Sequence, residues 1–415
     1  MKVDKVVVKI VSRCNINCSY CYMYNMGDTS YVEQPKFIDI STSKNFSRKM
    51  LKHCLKNSIK DFFIILHGGE PLLMGKSRLE EFIECFSIFK DNYINVFFSI
   101  QTNGILINDE WCNIFKKHEI QVGISLDGPK EINDLFRVDK KGKGTHDKVM
   151  KGIRVLERNK TSFGILSVMN SNASATTIYN NFIQSNIKSF DILFMDTNHD
   201  HIKVNNQFSR SMFDWYKELF DLWFINKEDV VIRIFDIIVK KILGQEIEID
   251  ILGTSENNVL VLETNGELEA VDILKICGEG FTKTNLNVNN NIEIDDVAKN
   301  NLINVYYNSG KMLARKCLAC PIMEVCGGGY IAHRYKSSNG FNNPSAYCDD
   351  LIRLITYIQN TVIDAMPYEL KQETQIEKLT YKDAIRSINE ALPTIPEPTY
   401  TNLLESFRKP DYEVI

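Results

Sequence analysis

Directly after the apolar run Val6 to Val11 stands Cys14-Asn15-Ile16-Asn17-Cys18-Ser19-Tyr20-Cys21, a CxxxCxxC triplet. Three thiolates at this spacing, on a loop leaving a strand, can hold three irons of a 4Fe-4S cluster. No fourth Cys lies nearby, so one iron is left open to a small molecule that receives an electron. A structural zinc site is the competing reading, although its usual paired Cys-x2-Cys knuckles fit this spacing poorly. A second set, Cys317, Cys320 and Cys326, is followed by Gly327-Gly328-Gly329-Tyr330 and by Cys348. Four thiolates can close a cluster, and taken alone they would suit a zinc ribbon equally well.

The elements that must position the first set are short apolar strands, each ending in polar residues and Gly. Phe62 to His67 runs into Gly68-Gly69-Glu70-Pro71, Val96 to Ile100 into Gln101-Thr102-Asn103-Gly104, and Gln121 to Ile124 into Ser125-Leu126-Asp127-Gly128. Amphipathic stretches at 44–57, 78–90, 109–118 and 145–158 alternate with them, the pattern of parallel βαβ units. In barrels of such units ligands gather at the carboxyl ends of the strands, where Cys14, Glu70, Gln101, Asn103 and Ser125 fall. Strands at 163–168 and 190–194 bring the count to six.

With Tyr20 in the aromatic position, the triplet resembles the CxxxCxΦC signature of the radical SAM superfamily. That resemblance implies an α/β fold, a partial (β/α)6 TIM barrel. It implies S-adenosylmethionine (SAM) chelated at the open iron and cleaved to a 5'-deoxyadenosyl radical. Gly68, Gly69 and Glu70 match the family's loop for the methionyl amino group, and Arg137 matches the Arg facing the cofactor carboxylate. Tyr20, Gln101, Asn103 and Ser125 complete the expected cofactor-binding set.

Cys317, Cys320, Cys326 and Cys348 resemble the SPASM extension of peptide-maturing radical SAM proteins, in which they hold an auxiliary 4Fe-4S cluster. A full extension has seven Cys and two auxiliary clusters. Here Tyr330 and Val271 stand where ligands of the inner cluster would be, so that cluster is expected to be absent. Asp272 matches a family Asp that faces the substrate, a candidate for accepting the proton lost when a radical closes onto an aromatic ring; the plainer reading is a surface Asp in a hairpin. Cys277 reads as a free or core thiol, and Cys54, Cys85 and Cys112 as buried small hydrophobes. Cys326-Gly-Gly-Gly-Tyr-Ile-Ala-His333-Arg334-Tyr335 and Gly340-Phe-Asn-Asn-Pro-Ser-Ala-Tyr-Cys348 resemble the Fxs, Xye and Grr type maturases, which form three-residue cyclophanes in ribosomally made precursor peptides.

The expected organisation is a barrel at 1–205, a helical bridge at 206–254 with Trp215 and Trp223 in its core, SPASM at 255–350, and a helix and tail at 351–415. The tail from Pro367 reads as extended polyproline-like chain before a last short helix. His199 and His201, after the sixth strand, read as solvated. A net charge of −4 from 49 basic and 53 acidic residues gives no basic field for nucleic acid. No apolar run reaches the ~18 residues of a membrane span, no signal peptide precedes the first strand, and free thiols point to a reducing cytoplasm. The expected partners are a precursor peptide, a reductant such as flavodoxin or ferredoxin, and a possible separate leader-binding protein. Three functions compete: cyclophane formation, sulfatase-type formylglycine formation or related thioether and epimerisation chemistry, and a non-catalytic iron-sulfur or zinc protein.

Overall fold

The computed structural model describes residues 1–201, 210–227, 229–374 and 376–409. Its strands are β1 (Lys5–Val11), β2 (Ile16–Cys18), β3 (Asp61–Gly68), β4 (Asn95–Thr102), β5 (Gln121–Ser125), β6 (Arg137–Asp139), β7 (Phe163–Val168), β8 (Ser189–Leu193), β9 (Val231–Ile232), β10 (Val259–Leu262) and β11 (Leu268–Glu269). All six expected barrel strands form. The chain folds as two compact units, residues 1–167 with 258–304, and 168–257 with 305–415.

In the first unit the strand order is β11-β10-β1-β3-β4-β5-β7. Every pairing in this sheet is parallel except the β10–β11 hairpin. Val6, Val8 and Ile10 of β1 are fully buried, as are Phe62, Ile64 and Leu66 of β3. The opposite face of the same strands is wetter: Phe63 and Phe97 stack there at 5.1 Å, half exposed. Period-two alternation therefore sends one row to a helix-covered core and the other to an accessible face.

The covering helices are α1 (Ile40–Lys56), α2 (Lys76–Glu84), α3 (Asp109–Lys117), α4 (Lys130–Phe136) and α5 (His146–Arg158). Asp39 caps α1 by accepting from the Thr42 N–H at 2.8 Å, and Asn108 caps α3 at 3.0 Å from Trp111 N. Phe46, Met50 and Cys54 bury one stripe of α1, and Val149, Ile153 and Leu156 one stripe of α5, each fully buried large side chain adding roughly 1.5–3 kcal/mol. Cys112 is buried as expected; Cys85 is only half-buried, because it follows the last turn of α2 instead of facing the core.

The second unit contains β8 parallel to β9, α6 (Ala175–Gln184), α7 (Met212–Ile225) and α8 (Arg233–Ile242). Trp215 and Trp223 of the second unit are core residues, donating to the carbonyls of Ala173 and Val230. Of the expected helical bridge at 206–254, residues 206–209 and 228 lie outside the described residues. This grouping cuts across the segments 1–205, 206–254, 255–350 and 351–415, because β10 pairs with β1 and carries 258–304 into the first unit. After α9 (Asn301–Tyr307), α10 (Arg315–Leu318) and α11 (Met323–Cys326) comes α12 (Cys348–Ala365).

The tail corrects the expectation of extended chain. It forms α13 (Tyr368–Thr374), α14 (Tyr381–Ala391) and α15 (Thr401–Glu405). Thr380 caps α14, and Ala384 and Ile388, one turn apart, bury its inner face. Local caps and an apolar i,i+4 pair outweigh the nearby prolines. His199 is not simply solvated: its Nε2 lies 2.8 Å from the Pro344 carbonyl.

Candidate active site

The strand ends of the first unit bring the thiol triplet and the expected cofactor-binding residues to one place. β2 crosses antiparallel to β6 with Cys18 opposite Arg137, so backbone register sets the guanidinium beside the triplet. Arg137 Nη1 donates to Tyr20 Oη at 2.8 Å, and Tyr20 donates to Asp127 at 2.6 Å. Burial pushes Tyr20 well above its ordinary value, and Asp127 accepts the hydrogen bond of its hydroxyl, so the phenol stays neutral. Burial also works against the charge of Arg137, but the Asp127 carboxylate and the hydrogen bond to Tyr20 help to hold the guanidinium above its usual value. Its Nε is buried without a hydrogen-bond partner. An orphan donor on a buried Arg suits an incoming carboxylate.

The Gly68-Gly69 turn docks on the chain leaving β1. Gly69 N donates to Val11 O at 2.8 Å and Glu70 N to Arg13 O at 3.0 Å. A Cβ on Gly68 would lie 2.0 Å from Val11 O, and one on Gly69 2.2 Å from both Arg13 O and Tyr24 Oη. Only glycine allows this approach. Glu70 is fully buried and accepts from Leu72 N, Thr102 Oγ1 and Asn103 N at 3.0, 2.6 and 2.8 Å. Its carboxylate thereby clamps the ends of β3 and β4 together.

Asn103 reaches Asn15, inside the triplet, at 2.7 Å. Gln101 donates to Ser125 at 2.9 Å, across Gly123, where a Cβ would lie 2.2 Å from its oxygen. Both are half-buried on the accessible face. The triplet sulfurs receive backbone N–H groups, from Ile16 to Cys14 and from Met23 and Tyr24 to Cys21. Burial nevertheless pushes Cys14 up to about 12 and Cys21 to about 11, so thiolate ligation there requires the positive charge of a metal centre.

Asp272 is buried, not a surface residue of a hairpin. It pairs with Lys9 and accepts from Tyr22 Oη at 3.0 Å. Burial pushes its carboxyl up, but Lys9 and His67 outweigh that and hold it at about 2. Lys9 and His67 are register partners on β1 and β3, 3.0 Å apart between Nζ and Nδ1. Burial and Lys9 push His67 down to about 3, so its ring is neutral. Lys9, His67 and Asp127 are site residues the sequence reading missed. A Lys inside the apolar run Val6 to Val11 was the one available signal, and it marks Lys9 without naming its partner.

In the second unit Cys317, Cys320, Cys326 and Cys348 line one cavity, with about 350 Å³ not filled by protein atoms, its mouth included. Ile322 N–H donates to Cys320 and Gly328 N–H to Cys326. Cys348 opens α12, where the helix dipole favours a thiolate. Among the described residues no three His, Cys, Asp or Glu side chains converge on a point that could hold a single ion. Four thiols lining one cavity are a donor set that fits a 4Fe-4S cluster, each thiolate holding its own iron. Cys277 is buried in the first unit.

Residues 8–171 match the Radical SAM superfamily. This part of the chain belongs to that superfamily. The protein is a radical SAM enzyme, and its triplet and polar strand ends fit the 4Fe-4S cluster and SAM of such enzymes. A cysteine-type anaerobic sulfatase-maturating enzyme of Clostridium novyi is 27% identical over 369 residues, covering 85% of this chain and 96% of that protein. Native anSMEcpe with bound AdoMet and Kp18Cys peptide has the same fold, with a TM-score of 0.74 at 23% identity over 87% of this chain and 98% of that one. Streptococcus suis SuiB bound to precursor peptide SuiA is more distant in fold, at a TM-score of 0.53 and 16% identity over 80% and 72% of the two chains. Among the described residues no helix is long and apolar enough to cross a membrane.

Proposed function

We propose that this radical SAM enzyme oxidises a side-chain β-carbon in a peptide substrate. The observation that carries this is the assembled triplet with the buried, half-satisfied Arg137 at the strand ends, in a fold shared with a peptide-bound relative. When bound, a cluster on Cys14, Cys18 and Cys21 with SAM supplies the 5'-deoxyadenosyl radical, and a cluster on Cys317, Cys320, Cys326 and Cys348 supplies an acceptor for the second electron. Arg137 would hold the SAM carboxylate, the Gly68-Gly69 backbone its amino group, and Gln101, Asn103 and Ser125 its remaining polar atoms. The peptide would lie on the accessible strand face, near Asp272.

Relatives named as sulfatase-maturating enzymes favour oxidation to formylglycine. A second reading, closure of the β-carbon onto an aromatic ring, is favoured by Asp272. Lys9 keeps the buried Asp272 carboxylate ionised, so it is placed to accept the proton lost by an oxidised ring adduct. Val271 and Tyr330, in place of two cysteines, also support it.

Anaerobic incubation with SAM and a reductant tests both, using a cysteine or serine sulfatase-type peptide and any small peptide encoded beside this gene. Formylglycine would react with an aldehyde probe. Ring closure would remove two hydrogens without an aldehyde and block fragmentation within a three-residue segment bearing an aromatic residue. A thioether or an epimer without mass loss rejects both products, and 5'-deoxyadenosine formed with no change in any peptide rejects the substrate class.

A further inference from the structure

Arg334 is buried in the second unit, and all five of its N–H donors meet backbone carbonyls. Nε donates to Gly328 O at 3.0 Å, Nη2 to Gly327 O at 2.5 Å and Gly329 O at 2.8 Å, and Nη1 to Ser309 O at 2.7 Å and, at the limit, Met312 O at 3.5 Å. Gly327, Gly328 and Gly329 take φ of 55°, 75° and 67°, three successive left-handed residues that turn their carbonyls onto one guanidinium. A Cβ on Gly328 would lie 2.9 Å from Arg334 Cζ. The same Gly328 donates its N–H to Cys326.

No carboxylate pairs with Arg334 among the described residues; the titratable groups that act on it are the Cys317 and Cys326 thiols and the Tyr400 phenol. A permanent buried cation satisfied only by dipoles calls for a negative group nearby. The adjacent four-thiol cavity is where such a group fits. A 4Fe-4S cluster on four thiolates is net negative, more so once reduced, and a fixed positive charge beside it favours the reduced form.

We propose that Arg334 is a positioning residue for an auxiliary cluster on Cys317, Cys320, Cys326 and Cys348: its fork shapes the Gly327–Gly329 loop, and its charge raises the cluster's reduction potential. This rests on reading the cavity as a cluster site. The test uses the full chain with Cys14, Cys18 and Cys21 replaced by Ala, so that one cluster signal remains. Redox titration followed by EPR then compares this parent with Arg334→Gln, Arg334→Lys and Gly328→Ala. Arg334→Gln should lower the reduced-to-oxidised ratio at the parent midpoint about tenfold, ~59 mV for a one-electron couple, whereas Arg334→Lys, which keeps the charge, stays near the parent. Equal midpoints for the Gln and Lys variants overturn the proposal. Should the Gln variant lose its iron, Gly328→Ala decides, since its Cβ displaces the guanidinium without removing it; a lowered midpoint supports the proposal and an unchanged one overturns it. A parent that binds no iron removes the cluster reading, and the proposal with it.

Discussion

Arg137 is set in place by strand register, opposite Cys18, and one of its nitrogens is left to a ligand. Arg137→Lys keeps the charge and loses the fork. SAM affinity of the reconstituted enzyme should fall about 10- to 100-fold, since a charge-assisted hydrogen bond is worth ~1.5–3 kcal/mol; equilibrium dialysis that finds it unchanged would remove Arg137 from the cofactor site. Asp272→Asn leaves Lys9 buried without its partner and should cost ~3–5 kcal/mol in urea unfolding. Because the folded carboxyl is held at about 2, below its ordinary 3.8, its stabilisation is present above pH ~4 and lost as pH falls toward 2. The variant should lack that acid-side loss, and it should still release 5'-deoxyadenosine while yielding less modified peptide. The thiols were legible because Cys spacing is chemistry written along the chain. Lys9 and His67 were not, because their meeting depends on lateral register between β1 and β3, which a single sequence does not carry.

The turn after β3 is an element whose geometry leaves no room for a side chain. Gly69→Ala places a methyl group within 2.2 Å of Arg13 O, so the turn must lift off β1; 5'-deoxyadenosine formation should drop at least tenfold, while iron bound by the second unit stays at the parental level. Normal turnover in this variant would show that the close approach is dispensable. The hairpin of β10 and β11 holds a second buried cluster, where Lys275 lies 3.5 Å from Glu263 and 3.4 Å from Glu269. Burial and the neighbouring Glu263 push Glu269 above the ordinary carboxylate value, so the folded state binds its proton more tightly than the unfolded chain. That stability is full below pH ~4.5 and declines as pH rises through the raised value. Glu269→Gln should flatten this decline in thermal unfolding followed across pH 5 to 9; an unaltered slope would assign it to another group. Alternation of strands and amphipathic helices made the barrel elements readable from sequence. The helical tail was not, because α14 depends on burying Ala384 and Ile388 against distant chain, a tertiary effect that outweighs the prolines around it.

At the scale of the whole chain, each compact unit carries one complete thiol set. The sequence made both sets and the order of the strands visible, but it assigned residues 258–304 by position along the chain, whereas β10 adds them to the first unit beside β1. That placement brings Asp272 to Lys9, an ion pair next to the strand ends beside the proposed peptide site. The central claim is that a hydrogen atom leaves a side-chain β-carbon of a peptide and arrives on 5'-deoxyadenosine. The most direct measurement is mass spectrometry of the 5'-deoxyadenosine formed under reducing, anaerobic conditions with SAM and a substrate peptide deuterated at the β-carbon. The account predicts deuterium in the nucleoside, in proportion to modified peptide; unlabelled 5'-deoxyadenosine accompanying modified peptide would contradict it.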